Sequence, residues 1–479
     1  MPATRLRQVL LADLLGAVDA RVLRPRDGDV DVRDLAYDSR AVGADTLFLC
    51  VPGRTTDGHD HAAAAVAAGA CALVVERELG LDVPQVLVGS VRAAMGPIAD
   101  AFFERPSARL AVLGVTGTNG KTTTAYLQHA ILTAAGHATG LLGTVERRIG
   151  GTAEGAVRTT AEAIDLHRDL RRMVDAGDTA CAMEVSSHAL DQHRVGGVRF
   201  AAAAFTNLTQ DHLDYHGDME AYFAAKALLF DGRCPTAANA DDPYGRRLPA
   251  DLRFAIDADD AEVRAVDVVL GADGTRFGLR TPWGDVAVAT RLVGRFNVEN
   301  ALAAAASAGL AGVPLEAIAA GLGDLSGVPG RLEVVSAGLP FAVIVDYAHT
   351  ADALDNVLRA VRPLARGRVT CVFGCGGDRD RGKRPAMARA ACALADRVIV
   401  TTDNPRSEDP LAIIAEIAVG AGPNAEVEPD RRAAIARAIA DAGPGDVGLI
   451  AGKGHEQGQE AHGVVTPFDD RAVAREVLA

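Results

Sequence analysis

The sequence Val112-Leu-Gly-Val-Thr-Gly-Thr-Asn-Gly-Lys-Thr-Thr-Thr124 decides the fold of this 479-residue chain. The apolar run Leu110–Val115 predicts a buried strand, and a tight glycine-rich loop separates it from a helix that begins at about Lys121. Glycines let a backbone approach phosphate groups, and successive N–H groups at a helix N-terminus offer partial positive charge. The loop Gly117–Thr122 therefore predicts a nucleotide-phosphate cradle, in which Lys121 reaches the terminal phosphates and the Thr122 hydroxyl binds Mg2+.

The composition is that of a globular protein, with 49% hydrophobic and 23% charged residues. The net charge of −14, without a lysine or arginine tract, argues against nucleic-acid binding. The N-terminus lacks a secretory signal, and no apolar run reaches the ~18 residues that span a bilayer. Seven scattered cysteines without a C-x-x-C pair favour reduced, mostly buried thiols and argue against a zinc site. We therefore expect a cytoplasmic protein that does not insert into a membrane.

Two segments that contain proline divide the chain. Phe103–Ser107 is a polar hinge, and Leu325–Gly330 is a glycine and proline cluster before a new strand pattern. The predicted domains are therefore residues 1–107, 108–328 and 329–479. A chain of this length accommodates about three domains of ~150 residues.

Apolar runs alternate with helical stretches in the second and third predicted domains, which favours α/β domains with parallel sheets. The predicted strands are Leu110–Val115, Thr139–Gly143, Ala180–Val185, Ala201–Phe205, Leu332–Val335, Phe341–Val345, Arg368–Phe373, Arg397–Thr401 and Val447–Ala451. The expected fold class is α/β in three domains: a small N-terminal α/β domain, a central P-loop-type ATPase domain with a parallel sheet, and a C-terminal Rossmann-like α/β domain.

Polar clusters lie at or just past the ends of many predicted strands. These clusters are Gly117–Thr122, Glu184–His188, Asn207–His212, Asp346–His349, Gly374–Arg384, Asp403–Arg406 and Gly452–Glu456. Ligands of parallel sheets bind beyond the carboxyl ends of the strands. The pattern therefore predicts one extended active cleft.

Three residues have side chains that phosphoryl transfer could use. Glu184 follows a predicted strand and offers a carboxylate for Mg2+. His212 could be a metal ligand, although a lone histidine is more often a hydrogen-bonded structural residue. Lys226 lies in the predicted helix Met219–Phe230 and reads as a surface lysine, because Mg2+ would repel its unmodified ammonium.

The chain resembles the Mur ligases, an ATP-dependent family that adds amino acids to the peptidoglycan precursor. The similarity extends from Tyr37–Arg40 to Phe468–Arg471. The segments that occur in the family's order are Gly117–Thr123, Met183–His188, Asp211–Asp214 with Lys226, Asp346–Thr350, Gly374–Asp380 and Asp403–Arg406. The members that add the third residue are the most similar. The resemblance therefore implies ligation of meso-diaminopimelate to the D-glutamyl residue of UDP-N-acetylmuramoyl-L-alanyl-D-glutamate through an acyl phosphate.

The resemblance also implies an ATP site with two Mg2+ ions. A carbamate formed from CO2 on Lys226 would turn a cation into an oxygen ligand. Lys226 and His212 would then hold one ion, and Thr122 and Glu184 the other. Lys121, Glu184, His212 and Lys226 are the implied catalytic residues. The implied ATP contacts are Gly117, Thr118, Asn119, Gly120, Lys121, Thr122, Thr123, Asn297, Asn300, Arg331 and Asp346.

From the residues alone, Asn297 and Asn300 would instead be read as helix caps. For the UDP end of the substrate, which the first domain would hold, the implied contacts are Tyr37, Ser39, Arg54, Thr55 and Thr56. For the muramoyl dipeptide, they are Thr159, Thr160, Ser186, Gln192 and Arg194. For diaminopimelate, they are Arg379, Asp403, Asn404, Pro405, Arg406, Gly452 and Glu456.

The sequence leaves three competing functions open. L-lysine could replace diaminopimelate, from which it differs by one distal carboxylate. A folylpolyglutamate synthase would share the phosphate loop and the modified lysine, but should lack the first domain and the segment Asp403–Arg406. A non-catalytic ATP-binding regulator should have lost a residue such as Lys121 or Lys226. We expect a monomer whose partners are ATP, the UDP-muramoyl dipeptide and the amino acid.

Overall fold

The structure is a computed structural model. The residues that it describes are 9–23, 29–53, 56–271, 274–336 and 338–479. The chain forms two compact units, of which the first contains residues 1–112 and 138–201 and the second contains residues 113–137 and 202–479. The division into domains at residues 107 and 328 stays a prediction.

Short strands and helices alternate near the N-terminus. In chain order they are β1 Val9–Leu10, α1 Leu11–Leu15, β2 Ala20–Leu23, β3 Asp31–Val32, β4 Asp34–Ala36, β5 Thr46–Leu49, α2 Ala62–Ala67, β6 Ala70–Val75, β7 Gln85–Val88 and α3 Val91–Phe102. Strands β4 to β7 are parallel, and β2 joins β7 antiparallel, in the order β2-β7-β6-β5-β4. The inward-facing residues of this sheet pack against α1 and α3.

The middle of the chain begins with the strand that precedes the phosphate loop. Its elements are β8 Ala111–Thr116, α4 Lys121–Ala134, β9 Thr139–Leu142, β10 Glu146–Ile149, β11 Thr152–Gly155, α5 Ala163–Ala176, β12 Ala180–Glu184, α6 Ser187–Asp191, β13 Ala202–Phe205, α7 Leu213–His216, α8 Met219–Ala227, β14 Thr236–Asn239, β15 Leu252–Ala255, β16 Val263–Gly271, β17 Gly274–Thr281, β18 Gly284–Thr290, α9 Arg295–Leu310 and α10 Leu315–Asp324.

The remaining elements belong to the second unit. They are β19 Glu333–Val334, β20 Ala342–Asp346, α11 Ala351–Val361, β21 Val369–Phe373, α12 Lys383–Leu394, β22 Arg397–Val400, α13 Pro410–Ala418, β23 Ala425–Val427, α14 Arg431–Ala440, β24 Val447–Ala451, β25 Gly458–Ala461, β26 Val464–Pro467 and α15 Asp470–Leu478. Short 3-10 turns lie at Ser39–Ala41, Gly58–His61, Pro106–Arg109, Leu228–Phe230, Gly245–Arg247 and Arg362–Leu364.

The expected α/β class is confirmed in both units. In the first unit, β9 and β12 are parallel, and the hairpin β10–β11 extends their sheet antiparallel. In the second unit, β8, β13, β14, β15 and β16 are parallel neighbours, and β17 and β18 continue antiparallel. The last large sheet has the order β19-β20-β24-β21-β22-β23 and is parallel except at β19.

This topology brings several predicted polar clusters to shared sheet edges. Strands β8 and β13 are parallel neighbours, so the phosphate loop and the segment after Phe205 leave the same edge. Strands β20 and β24 are also parallel neighbours, so Asp346 and Gly452 follow one edge. Among the described residues, no helix combines the length and the apolar character needed to cross a membrane.

Candidate active site

The phosphate loop joins β8 to α4 through two glycines with left-handed backbones. Gly117 has φ +151° and Gly120 has φ +87°. A Cβ atom on Gly120 would lie 2.1 Å from Oδ1 of Asn300, and one on Gly117 would lie 1.9 Å from Oγ1 of Thr206. Both positions therefore need glycine for its backbone freedom and for its missing side chain.

Two lysines converge on the loop's backbone oxygens. Lys121 Nζ donates to the oxygens of Gly117 and Thr118, each at 2.8 Å. Lys226 Nζ donates to the Gly117 oxygen at 2.7 Å. The structure therefore brings these two predicted catalytic residues together at one loop.

Lys226 is buried, with 1% of its surface exposed, so its reading as a surface lysine is wrong. Its ammonium lies 4.6 Å from the ring centre of Tyr222. Burial, together with the nearby charge of Lys121, holds the pKa of Lys226 well below its usual range. The lowered pKa increases the fraction of the uncharged amine, which is the form that reacts with CO2.

The Thr122 hydroxyl accepts a hydrogen bond from Nη2 of Arg331 at 2.9 Å, which joins two predicted ATP contacts. The guanidinium of Arg331 also lies 4.6 Å from the ring centre of Tyr347. Asp346 lies nearby and accepts from the backbone N–H groups of Leu332 and Ala348 at 2.7 and 2.8 Å. Burial raises the pKa of this carboxyl, and the charge of Arg331 opposes that shift.

Asp352 connects helix α11 to the phosphate loop. Its Oδ2 accepts from Nδ2 of Asn119 at 2.8 Å and from Oγ1 of Thr209 at 3.4 Å. Asn119 also donates from its backbone N–H to Oδ1 of Asn207 at 2.9 Å. The loop and its neighbouring segment are thus joined by residues from two distant parts of the sequence, 207–209 and 352.

Asn297 and Asn300 are buried in the first two turns of α9, beside the phosphate loop. The residue that precedes the helix is Gly294, and Asn297 donates from Nδ2 to the oxygen of Val293 at 2.8 Å. Asn300 donates to Oδ1 of Asn297 at 3.0 Å. Neither side chain caps the helix, so their reading as helix caps is wrong. Their contact with a nucleotide stays a prediction.

His212 lies next to the buried carboxylate of Asp211. Its Nε2 lies 3.4 Å from Oδ2 of Asp211, and Nε2 of His349 lies 3.7 Å from the same oxygen. The other carboxylate oxygen, Oδ1, lies 3.9 Å from Nζ of Lys383. Burial alone would raise the pKa of Asp211, but these three groups outweigh it and hold that pKa well below its usual range. The ring of His212 packs edge-on against Tyr222, with ring centres 6.1 Å apart.

His212 and Lys226 therefore contact the same tyrosine ring from two elements. Among the described residues, no group of three or more histidine, cysteine, aspartate or glutamate side chains forms a metal site. A buried lysine that carries carbamate oxygens, together with an imidazole, would nevertheless offer donors that fit Mg2+. His212 and Lys226, the pair predicted for one ion, belong to the second unit, and so does Thr122, which is predicted for the other ion.

A cavity of about 150 Å³ in the second unit gathers most residues predicted to bind the amino acid. Its lining includes Asp211, His212, Arg379, Asp403, Asn404, Arg406, Gly452 and Glu456. Pro405 is buried between two of these residues but does not line the cavity. The predicted metal ligand His212 and the predicted amino-acid contacts therefore share one cavity.

Positively and negatively charged side chains both lie in or beside this cavity. Arg406 donates from Nη1 to the Gly377 oxygen at 2.7 Å, and its Nε lies 3.5 Å from Oε2 of Glu460. Asp403 is buried, which alone would raise its pKa, but the charges of Lys453 and Arg431 lower it. The cavity can thus offer cations to a carboxylate and anions to an ammonium.

The predicted dipeptide contacts cluster in the first unit around Glu184. Its carboxylate accepts from the backbone N–H of Thr144 at 2.7 Å and from the Thr144 hydroxyl at 3.0 Å. Thr160 donates from its hydroxyl to the Glu184 backbone oxygen at 2.9 Å. Arg194 donates to the Thr160 oxygen at 3.1 Å and to Oε1 of Gln192 at 2.8 Å. Ser186 caps helix α6 through its hydroxyl.

A larger cavity of about 480 Å³ in the same unit is lined by Tyr37, Thr159 and Thr160, among others. The Tyr37 hydroxyl donates to Oδ2 of Asp165 at 2.7 Å. Burial and this hydrogen bond raise the pKa of Tyr37, so the phenol stays protonated. Ser39 lies in the 3-10 turn and Thr56 is exposed.

Two predicted contacts of the UDP end, Arg54 and Thr55, lie outside the described residues. Four other residues of the site lie in polar clusters that were predicted to line the cleft but received no individual role: Asp211, His349, Lys383 and Lys453. The composition of the chain could have indicated Lys383 and Lys453, because lysine is rare in it. The chain contains only four lysines among 49 basic residues, and the other two are Lys121 and Lys226.

Three family models match the chain: the Mur ligase family catalytic domain at residues 31–103, the Mur ligase middle domain at 115–308, and the Mur ligase glutamate ligase domain at 330–454. The chain therefore belongs to the Mur ligase family, which confirms the predicted resemblance.

Individual relatives show which enzymes of the family this chain is similar to. Two proteins named UDP-N-acetylmuramoyl-L-alanyl-D-glutamate–2,6-diaminopimelate ligase come from Geobacillus species. The one from Geobacillus kaustophilus (strain HTA426) is 50% identical over 466 residues, which cover 94% of this chain and 95% of the relative. The one from Geobacillus thermodenitrificans (strain NG80-2) is 49% identical, with the same shares of each chain covered. A solved structure of a ligase with that name has 33% identity and a TM-score of 0.68, and the match covers 98% of this chain and 99% of the other.

Proposed function

We propose that this chain uses ATP to join meso-diaminopimelate to the D-glutamyl residue of UDP-N-acetylmuramoyl-L-alanyl-D-glutamate, in peptidoglycan synthesis. The observation that carries the proposal is the cavity in which Arg406, Asn404 and Glu456 lie beside His212. The relatives with that named activity support it over nearly the whole chain.

The chemistry consists of two substitutions. An oxygen of the D-glutamyl side-chain carboxylate attacks the γ-phosphorus of ATP, and ADP leaves with the bond electrons. The amine of the incoming amino acid then attacks the acyl carbon, loses a proton, and expels phosphate as the amide bond forms. No protein nucleophile is needed.

In the nucleotide site, Lys121 would stabilise charge that develops on the transferring phosphoryl group. To do so, its ammonium leaves the oxygens of Gly117 and Thr118 for the phosphate. The N–H groups of the loop and of the first turn of α4 bind phosphate oxygens. Arg331, Asp346, Asn297 and Asn300 would complete the ATP contacts.

Two Mg2+ ions are proposed, one held by Lys226 as a carbamate with His212, and the other by Thr122 with Glu184. When bound, they would neutralise charge on the phosphates. Lys226 fits its role because burial lowers the pKa of its amine and so increases the uncharged fraction that can react with CO2. Thr122 is oriented for its role by Arg331.

The remaining substrate contacts are proposed from the family. Residues Tyr37, Ser39, Arg54, Thr55 and Thr56 would hold the UDP end, within an N-terminal domain of residues 1–107. Residues Thr159, Thr160, Ser186, Gln192 and Arg194 would hold the muramoyl dipeptide. We further propose domains at residues 108–328 for ATP and 329–479 for the amino acid, and a cytoplasmic monomer whose cysteines stay reduced. None of the seven cysteines, all of which lie in the part of the chain that the structure describes, forms a disulfide.

Diaminopimelate is favoured over L-lysine by the charges of the second-unit cavity. Arg406, with Asn404 nearby, would bind the distal carboxylate, and Pro405 would fix the turn that presents it. The rest of the molecule would be contacted by Arg379, Asp403, Gly452 and Glu456, of which Glu456 suits an ammonium. L-lysine lacks that carboxylate and would leave the guanidinium of Arg406 without this anionic partner from the substrate. Sites built for a charged group can reject such an analogue by ~10^4-fold.

A folylpolyglutamate synthase and a non-catalytic regulator both lack support. The synthase should lack the first domain and Asp403–Arg406, and both are present. The regulator should have lost a residue such as Lys121 or Lys226, and both stand at the phosphate loop.

The test is an ADP-release assay on the purified protein with ATP, Mg2+ and the UDP-muramoyl dipeptide, with diaminopimelate or L-lysine at equal concentration. The expected product has the mass of the dipeptide nucleotide plus diaminopimelate minus water. Lys121→Ala is the inactive control and should lose roughly 10^2-fold or more in turnover. Efficient addition of L-lysine, or ADP release without a ligated product, would contradict the proposal.

A further inference from the structure

Lys453 lies just behind the amino-acid cavity and contacts two of its lining residues. Its side chain is fully buried, with 0% exposed. Its Nζ donates to Oδ1 of Asn404 at 2.8 Å and lies 3.4 Å from Oε2 of Glu456. One ammonium therefore bridges the two residues proposed to recognise the amino acid.

These contacts fix which way the Asn404 amide faces. Its Oδ1 accepts from Lys453 and also from the backbone N–H of Glu460 at 3.1 Å. Its Nδ2 donates to Oε2 of Glu456 at 2.8 Å. A flipped amide would place its NH2 group against an ammonium, which has only donors. Asn404 therefore keeps its NH2 on the side of Glu456.

The same contacts orient Glu456. Both the Asn404 amide and the Lys453 ammonium meet its Oε2, so Oε1 can accept from an incoming ammonium. The negative charge of Glu456 is matched by Lys453, which also lies near the buried carboxylate of Asp403. Removing Lys453 would leave two carboxylates near each other without that cation.

The choice of lysine at this position is itself informative. The chain uses arginine for nearly all of its 49 basic residues and lysine at only four positions, all of them in the candidate active site. A lysine ammonium is a compact charge with three rotatable donors, whereas a guanidinium is a wide planar fork. The narrow space between Asn404 and Glu456 suits the ammonium.

We propose that Lys453 is a positioning residue. It holds the Asn404 amide and the Glu456 carboxylate in the arrangement that recognises the charged groups of the incoming amino acid. It acts through these two side chains and does not touch the substrate. The inference rests on the proposed function and extends it to a residue outside the cavity wall.

The test is Lys453→Met, which removes the charge and keeps the length of the side chain. The KM for diaminopimelate should rise by about tenfold or more, because a displaced amide and an unbalanced carboxylate weaken binding of the amino acid. The KM values for ATP and for the UDP-muramoyl dipeptide should stay within about twofold. The matched control is Arg432→Met. It removes an exposed cation from helix α14 and should change no KM.

A double-mutant cycle tests whether Lys453 acts through Asn404. In the Asn404→Ala background, Lys453→Met should raise the KM for diaminopimelate by less than about threefold. Fully additive effects would overturn the proposal, and so would equal increases in the KM for ATP. If Lys453→Met does not fold, as judged by thermal unfolding, then Lys453→Gln serves. It keeps a donor for Asn404 and should still raise the KM for diaminopimelate selectively; an unchanged KM would overturn the proposal.

The two failures can be told apart. A wild-type protein that ligates no diaminopimelate contradicts the proposed function. A Lys453→Met variant with the wild-type KM contradicts only the role of Lys453.

Discussion

The Nζ atom of Lys226 lies 2.7 Å from the backbone oxygen of Gly117, although 109 residues separate them in the sequence. Helix α8, which follows strand β13, thereby supports the loop that follows the neighbouring strand β8. The amine is buried, and burial together with the charge of Lys121 holds its pKa well below the usual range, so the protein environment disfavours the charged form of the group that makes this contact.

The first prediction concerns that amine. Lys226→Ala and Lys226→Arg should both abolish ligation, because neither side chain forms a carbamate. Wild-type turnover should fall in CO2-depleted buffer and recover when bicarbonate is added, as followed by ADP release. Arg233→Ala, an exposed site shortly after the same helix, should keep wild-type turnover. Normal activity of Lys226→Arg in CO2-depleted buffer would show that Lys226 is not a metal ligand.

The second prediction separates backbone strain from crowding in the phosphate loop. Gly120 and Gly136 have nearly the same φ, +87° and +88°, but only a Cβ on Gly120 would strike Asn300. The left-handed backbone alone should cost alanine about 1–2 kcal/mol in the free energy of unfolding at either position. Crowding against Asn300 should add to that cost at Gly120. Only Gly120→Ala should also weaken ATP binding by about tenfold or more. Urea unfolding and calorimetric titration with ATP measure the two effects. Equal ATP affinities in the two variants would show that crowding against Asn300 is unimportant.

The third prediction concerns Arg406, whose guanidinium is anchored at 2.7 Å to the Gly377 oxygen. Arg406→Ala and Arg406→Lys should both lose diaminopimelate ligation, because an ammonium cannot reproduce the planar fork. Steady-state kinetics with each amino acid measure the loss. Arg437→Lys, an exposed ion-pair residue of helix α14, is the matched control and should behave as wild type. Retained diaminopimelate specificity in Arg406→Lys would place the carboxylate contact elsewhere.

The fourth prediction is a pH dependence of stability in the first unit. Burial lowers the pKa of His167 to about 4, from an ordinary value of 6.5. Its Nε2 contacts the Gly196 oxygen at 2.8 Å, and its Nδ1 lies 3.6 Å from Oδ1 of Asp100, whose own pKa is raised by burial. Below pH 6.5 the unfolded chain binds a proton that the native protein does not. The free energy of unfolding should therefore fall between pH 6.5 and pH 4, by up to about 3 kcal/mol.

His167→Gln removes this titration and keeps a donor for the Gly196 oxygen. Its unfolding free energy, measured by urea denaturation across that pH range, should fall less steeply than that of the wild type. Parallel curves for the two proteins would show that His167 does not contribute.

Much of the fold was predictable because buried parallel strands are continuous apolar runs. The predicted strand Val447–Ala451 has the observed bounds, and Leu110–Val115 is shifted by one residue. The antiparallel strands β16 to β18 were not predicted. Their alternating, partly exposed residues, as in Val263–Gly271, do not form an apolar run, and their pairing depends on short connections.

The candidate site was predictable where a motif is continuous in sequence, as in Gly117–Thr122. It was not predictable where a partner comes from a distant segment. No local pattern indicates that Asp352 receives a hydrogen bond from Asn119, or that Lys453 contacts Asn404. The burial of Lys226 was also missed, because helix α8 alone does not show which of its sides faces the loop.

The hydrogen bond between Asn119 and Asp352 has a consequence for synthesis of the protein. A ribosome completes strand β8 and helix α4 more than 200 residues before it adds Asp352. Domains tend to fold from the N-terminus as the chain emerges. The nascent phosphate loop therefore exists for many seconds without the carboxylate that later holds its asparagine. The loop reaches its full set of hydrogen bonds only when most of the polypeptide has left the ribosome.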